Sequence, residues 1–267
     1  MKAVNLSEAQ TEDRYNIRVL ERAFRILAVL SDGKPRSLQT LSREVNLSTS
    51  TTFRQLSTLV HHRYIERDAQ TSRYSLGLAC LELARSYYMG NEVRRAALPE
   101  LDRLRNETRE TVHLAVLDEL EVVYIEKLEG LQPIGLMGSR VGGRSPAYCT
   151  GVGKALLAHV APDVVKQSFV RRKLRRYTQN TITSLDGLLS ELASIRSQGY
   201  ALDHGEHEAG VCCVAAPVFD MKGDAVAALS VSGPADRLEP IERNREMILN
   251  ATATAQNISA KMGYSAH

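Results

Sequence analysis

Between positions 48 and 58, short hydroxyl side chains surround one long cation: Ser48, Thr49, Ser50, Thr51, Ser57 and Thr58 around Arg54. Hydroxyls and a guanidinium at helical spacing can reach base edges or phosphates, which is the chemistry of a recognition helix in a major groove. Ser48 is a natural N-cap, since its hydroxyl can accept from a free amide of the first turn. The spacing predicts a helix over 49–62 with Thr52, Leu56, Leu59 and Val60 facing inward. Leu38, Leu41 and Val45 recur at i, i+3 and i+7 and predict a short helix before it, broken at Asn46-Leu47. The segments 64–67 and 73–76 alternate like strands and predict a small wing, with Arg67 and Arg73 placed for phosphates.

A second set of residues could hold a small anion. Ser230 and Ser232 are two apart in a predicted strand, so both side chains point to one face. Val211, Cys213 and Ala215 share a face of the preceding strand. If the two faces line one cavity, Cys213, Ser230 and Ser232 make a small polar floor; surface decoration is the other reading. Thr150-Gly151-Val152-Gly153-Lys154 is not a phosphate loop, because the Gly-to-Gly spacing is too short and Ala155 stands where a magnesium-binding hydroxyl belongs. Small residues at a helix start nonetheless leave backbone amides open to a carboxylate, or serve tight packing only.

Two further clusters compete for a role. Asp203-His204-Gly205-Glu206-His207-Glu208, followed by Cys212 and Cys213, brings metal-capable groups close in sequence. Neighbouring residues at a strand end point different ways, however, and no metal site is expected. Cys149 or Cys213 as a nucleophile would need a paired base and an oxyanion site, and no readable spacing supplies one. The basic run 171–176 reads as solvated surface.

The elements that must position these groups follow from periodicity. Residues 1–15 are polar and aperiodic, a flexible arm. Val19, Ala23, Ile26, Leu27 and Leu30 predict the first helix, ending near Asp32-Gly33, with Arg18, Arg22 and Arg25 along its polar side. A helix over 78–88, broken at Gly90-Asn91, reads as a linker. Beyond it come a helix from Val93 to Thr108, a hairpin of 111–117 and 121–128, a possible strand at 134–138 and a loop at 142–146. Helices at 154–159, 163–171 and 185–198 follow, the last capped by Ser184 and ended by Gly199. Strands at 200–203, 211–219 and 225–232 precede a final helix beginning near Pro240. Hairpins interleaved with helices make an α+β domain. The domain expectation is an arm at 1–15, a DNA-binding domain at 16–77, a linker helix at 78–91 and an effector-binding domain at 92–265.

The chain has 267 residues and a net charge of +3. Residues 1–78 hold 12 Lys/Arg against 8 Asp/Glu, and 79–267 hold 22 against 23, so the basic excess sits on the part with the recognition-helix pattern. No run approaches the roughly 18 apolar residues of a membrane helix, and the first residues do not read as a signal peptide. Four cysteines, Cys80, Cys149, Cys212 and Cys213, lack zinc-like spacing, so reduced thiols in a cytoplasmic protein are expected.

From Ile17 to Tyr264 the chain resembles the IclR family of bacterial transcription regulators. The matching stretches are Leu47-Ser-Thr-Ser-Thr-Thr-Phe-Arg-Gln-Leu56, Tyr64-Ile65 and Tyr74-Ser75-Leu76 in the first half. In the second they are Arg144-Ser-Pro-Ala-Tyr-Cys-Thr-Gly-Val-Gly-Lys-Ala155, Arg196 to Asp203, Glu206 to Cys213 and Ser230-Val-Ser-Gly-Pro234. Within the family it is most similar to regulators of 2-keto-3-deoxygluconate and related sugar-acid catabolism, through Glu110-Thr-Val-His-Leu114, Val123-Tyr-Ile125, Thr181-Ile-Thr183, Ala216-Pro-Val-Phe-Asp220 and Ile258-Ser-Ala-Lys-Met-Gly-Tyr264. The resemblance implies a winged helix-turn-helix, a linker helix and a GAF-like effector-binding domain. It also implies homodimers or homotetramers on palindromic operator DNA, a small organic acid as effector, no cofactor and no enzymatic activity. Carried over residue by residue, the pocket comprises Gly151, Val152, Asp203, Cys213, Ser230 and Ser232, walled by Ile134, Met137 and Val211. The DNA-binding set is Ser48, Thr49, Ser50, Thr51, Arg54, Gln55, Ser57, Arg67 and Arg73. Thr52 and Gln55 stand where the family has apolar residues, so either Gln55 reaches DNA or the helix packs less tightly. A metal- or thiol-redox-sensing regulator using His204, His207, Cys212 and Cys213 is the competing expectation, and a DNA-tethered enzyme is the third.

Overall fold

The computed structural model describes residues 16–132, 137–241 and 244–265, and the chain divides into two compact units between Asn91 and Glu92. The arm at 1–15 and Ile134 lie outside the described residues, and Met137 and Gly138 are not in a strand.

The first unit is a winged helix-turn-helix: α1 (Arg18–Leu30), α2 (Leu38–Glu44), α3 (Thr49–His61), β1 (Ile65–Arg67), β2 (Tyr74–Leu76) and α4 (Leu78–Gly90). Both inner helices start where a serine can cap them. Ser37 Oγ accepts from Thr40 N and Ser48 Oγ from Thr51 N, each at 3.2 Å. Asn46 takes a left-handed φ of 53° between the two helices, a conformation asparagine tolerates. Ile26, Leu30, Leu41, Val45, Leu56, Ile65 and Tyr74 form the core. Val19 departs from the expected inward stripe of α1 and is 61% exposed, because packing on α2 and α3 engages only the later turns. Ile17, Leu20 and Phe24 make a second, exposed apolar stripe at i, i+3 and i+7. No residue of α4 is fully buried, and Leu78, Leu81, Leu83, Tyr87 and Met89 are exposed.

The second unit is three layers. Its sheet has six antiparallel strands in the order β5 (Arg144–Pro146), β4 (Glu121–Leu128), β3 (Thr111–Asp118), β8 (Ala225–Pro234), β7 (Val211–Phe219) and β6 (Ala201–His204). Strand alternation sends Ala227, Leu229 and Val231 to one face, where α5 (Glu92–Thr108) and α10 (Arg245–Lys261) pack, and Ala228, Ser230 and Ser232 to the other. That second face is covered by α6 (Gly151–Leu157), with α7 (Pro162–Phe169) and α8 (Leu185–Gln198) outside it. Ser184 caps α8 on Gly187 N, and Gly199 ends it at φ 82°. This is the expected α+β, GAF-like architecture. Three local expectations change. The loop at 142–146 ends in the edge strand β5, and α6 begins at Gly151 rather than Lys154. The last helix starts at Arg245, where Asn244 Oδ1 caps it by accepting from Met247 N, after a one-turn helix α9 (Ala235–Leu238).

Candidate functional site

The face of α3 away from the core carries Thr49, Ser50, Arg54, Ser57 and Thr58, all exposed, with Thr51 half-buried and Ser48 exposed at the cap. Ser57 and Thr58 donate back to the Phe53 and Arg54 carbonyls, so their oxygens face outward as acceptors. Phe53, 48% exposed, lies on this face, one turn from both Ser50 and Ser57. The sequence expectation placed it on neither face of the helix; its i+3 and i+4 spacing to the hydroxyls was the available signal. Gln55 is corrected. It is buried beside Thr52 and Leu56 on the inner side of α3, with Oε1 sealed and without a partner, so it cannot reach DNA from there. Thr52, fully buried as expected, satisfies its hydroxyl on the Ser48 carbonyl at 3.0 Å. Arg67 and Arg73 are exposed on the wing. Arg67 lies over the Tyr74 ring and donates to Ser72 Oγ at 2.9 Å, which aims it along the wing tip.

In the second unit the register builds a pocket. Asp203 pairs across strands with Cys213, Cys213 with Ser232, and Ser232 with Thr111; in the next row Ala215 pairs with Ser230, and Ser230 with His113. Of these rows, Asp203, Cys213, Ser232, Ser230 and His113 line a small pocket of about 50 Å³ together with Tyr124, Met137, Ser139, Thr150, Gly151, Val152, His207, Glu208 and Val211. By the usual allowance per water, that volume holds roughly three to five water molecules. All the expected pocket residues among those described converge here.

Glycine at 151 lets α6 start close against the sheet: a Cβ would stand 2.5 Å from Cys213 Sγ, which would have to shift, and 3.6 Å from Asp203 Cβ. At Gly153 a Cβ would collide with the Ala147 carbonyl. First-turn amides of a helix have no partner within it, and that of Gly151 is directed at the Cys213 sulfur. Ser230 and Ser232 hydroxyls are 3.2 Å apart, and Cys213 Sγ is 3.9 Å from Asp203 Oδ2.

Two groups escaped the sequence reading. His113 is buried, with Nε2 2.9 Å from Ser139 Oγ and Nδ1 3.3 and 3.4 Å from the Ser230 and Ser232 oxygens. Burial, with Lys127 nearby, pushes the imidazole down to about 3, so it is neutral at physiological pH. Lys154 is the larger surprise: it is 1% exposed. Its ammonium pairs with Glu206 and, at 3.0 Å, with Glu191 on α8. Burial alone would lower the amine, but the two facing carboxylates outweigh it and hold it above its ordinary value. Burial pushes Glu206 up to about 7 against the pull of Lys154, and raises Asp203 despite a 2.7 Å hydrogen bond from Glu206 N. Of the metal-capable residues of this segment, Glu206 turns to the lysine, while Asp203 lines the pocket and accepts from the Glu206 amide.

The four residues of the competing metal or redox reading do not converge. Cys213 faces the pocket, while Cys212 lies on the other face of β7, where Glu239 bonds both its thiol and His204 Nδ1. Among the described residues no three His, Cys, Asp or Glu side chains are arranged to hold a metal ion. Burial pushes the Cys149 thiol up to about 12 and the Cys213 thiol well above its usual range, with Asp203 adding to both. A thiol held neutral is a poor nucleophile and a poor redox sensor. Among the described residues no helix is long and apolar enough to cross a membrane.

Comparison with known proteins agrees with this division of labour. Residues 19–69 match the model of the IclR helix-turn-helix domain, and residues 86–260 that of the bacterial transcriptional regulator IclR C-terminal domain. The HTH-type transcriptional regulator KdgR of Escherichia coli K12 is 38% identical over 243 residues, covering 91% of this chain and 92% of that protein. The HTH-type transcriptional repressor AllR of the same strain is 31% identical over 263 residues, 97% and 96% of the two chains. An IclR homologue of Microbacterium hydrocarbonoxydans, crystallised with 4-hydroxybenzoate, superposes with a TM-score of 0.81 at 28% identity over 92% of this chain and all of that one.

Proposed function

The chain belongs to the IclR family of bacterial transcription regulators, and from that premise we propose that it is a cytoplasmic repressor of a catabolic operon, released or retained by a small 2-keto acid. The observation that carries the effector half is convergence: six expected residues from β6, β7, β8 and the start of α6 meet in one polar pocket. The Gly151 and Val152 amides and the two serine hydroxyls supply donors for a carboxylate, and Asp203 accepts from a ligand hydroxyl. The relative crystallised with 4-hydroxybenzoate supports a carboxylic acid as the ligand class.

For the DNA half, Ser48, Thr49, Ser50, Thr51, Phe53, Arg54 and Ser57 enter the major groove, and Arg67 and Arg73 hold phosphates beside it. The exposed apolar stripes of α1 and α4 support pairing of two copies. A two-fold dimer then presents two α3 helices to half-sites about one turn of DNA apart. Tetramers would join two such pairs. Effector binding shifts the equilibrium only through unequal affinity for two arrangements of the assembly, and α4, joining the two units in the chain, is the transmitting element.

A thermal-shift screen with pyruvate, glyoxylate, 2-keto-3-deoxygluconate and hydroxybenzoates tests the effector half. A binder at 100 times its dissociation constant adds roughly 2.7 kcal/mol of stability. A hit that disappears in Ser230→Ala and Asp203→Ala and changes operator binding in gel shifts supports the proposal; a response to zinc or oxidant without any acid response refutes it.

A further inference from the structure

We infer that His113 sets the direction of the hydrogen bonds on the pocket floor and so determines specificity, favouring ionised acids over their neutral analogues. The inference rests on the effector reading above. His113 sits opposite Ser230 in the sheet register, and its ring packs on Tyr124 at 5.2 Å between centroids. Its two nitrogens engage different hydroxyls: Nε2 meets Ser139, while Nδ1 meets Ser230 and Ser232 together. Held neutral by burial, the ring carries one proton, so one nitrogen donates and the other accepts.

The two tautomers give two different floors. With the proton on Nε2, the ring donates to Ser139 Oγ, and Nδ1 accepts a hydrogen bond from Ser230 or Ser232. One serine hydroxyl is then spent on the ring. With the proton on Nδ1, the ring donates to a serine oxygen, Ser139 donates to Nε2, and both serine protons are free to turn into the pocket. An ionised carboxylate only accepts hydrogen bonds, so it gains from the second arrangement. A ligand presenting an N–H donor needs an acceptor on the floor and gains from the first. Ser139 is held for this switch by Lys127, whose ammonium donates to the Ser139 carbonyl at 2.8 Å. A hydroxyl can serve as donor or acceptor by rotating, so neither state leaves a buried nitrogen unpaired.

The experiment compares the full-length protein with His113→Asn, His113→Leu and Ser139→Ala, using pyruvate, glyoxylate and 2-keto-3-deoxygluconate, each beside its primary amide. The Asn amide places a donor close to the Nδ1 position, whereas Leu has none. The expected result is acid affinity near wild type in His113→Asn, and a loss of about tenfold in His113→Leu, where no donor holds the serine oxygens so that their protons turn into the pocket; that is the size of one hydrogen bond between neutral groups. The preference for acid over amide should fall with it. Ser139→Ala, at a half-buried position that does not threaten folding, should weaken the acid several-fold and leave the amide unchanged. The 15N signals of the His113 ring, identified by their loss in His113→Asn, should move from the Nε2–H to the Nδ1–H pattern when acid is added. Acid binding with an unaltered tautomer, or with the same acid-to-amide ratio in His113→Leu and Ser139→Ala, overturns the inference and leaves the effector reading standing. No acid bound by the wild-type protein overturns both.

Discussion

Replacing Lys154 by Met removes the cation at the centre of the second unit's buried charge cluster. The ammonium is 1% exposed and faces Glu206, whose side chain is 5% exposed, and Glu191, at 33%. Asp203, 8% exposed, is bonded to the Glu206 amide. Without the lysine, two buried carboxylates confront each other, one of them with an oxygen, Glu206 Oε2, that already has no partner. Removing one member of a buried ion pair costs about 3–5 kcal/mol. In a unit of this size each kcal/mol moves the midpoint by about 2–4 °C, so the C-terminal transition should fall by roughly 6–20 °C. The deficit should be smaller at pH 6 than at pH 8, because Glu206, already raised to about 7, escapes the cost by taking up a proton. The double variant Lys154→Met/Glu206→Gln, which removes both charges, should recover at least half the loss, since a neutral replacement of a buried pair is often tolerated. Thermal and urea denaturation followed by circular dichroism at the two pH values measures all of this. A deficit below about 1 kcal/mol, or a double variant no better than the single, would refute the claim that the lysine compensates the carboxylates.

Gly151→Ala should fold yet lose acid-induced stabilisation in the thermal-shift assay, because its methyl group would press on Cys213 Sγ and close the pocket; an undiminished acid response would show that the pocket lies elsewhere. Arg54→Ala should weaken operator binding by about 1–3 kcal/mol at matched salt, and Phe53→Ala should weaken it too, whereas Gln55→Leu, at a buried site with an unpaired oxygen, should leave affinity unchanged and stability equal or higher; gel shifts and melting curves decide. The His113 pKa is depressed to about 3 from an ordinary 6.5, so the folded state binds fewer protons than the unfolded one in that window. Its contribution is therefore present above pH 6.5 and lost as the pH falls toward 3. Glu206 acts oppositely: raised from 4.5 to about 7, it favours the folded state below 4.5 and loses that contribution as the pH rises through 7. The stability difference between wild type and His113→Asn should hence shrink on acidification below pH 6.5 in urea titrations; a constant difference would mean that the ring is not held neutral.

Most of the first unit could be read from the chain because its signals are local. Ser37 and Ser48 announce helix starts through their own hydroxyls, Asn46 marks the turn, and the alternation around Tyr64 and Tyr74 marks the wing. The strands carrying Cys213, Ser230 and Ser232 were equally legible, since alternation alone assigns a face. Which residue stands opposite which was not legible. Register is a property of pairs of strands, and only the folded sheet puts His113 beside Ser230 and Asp203 beside Cys213. Gln55 is buried and Phe53, which had no expected role, is exposed, because polarity predicts exposure only on average, while helix phase decides it. Lys154 was invisible for a related reason. A lysine at a helix start reads as surface, and its burial makes sense only once Glu191 and Glu206, far apart in the chain, meet around it. The local code thus determined the elements and the kind of chemistry they carry. The partners that orient that chemistry came from long-range packing, where the free energy of a buried polar group depends on groups that its own segment does not contain.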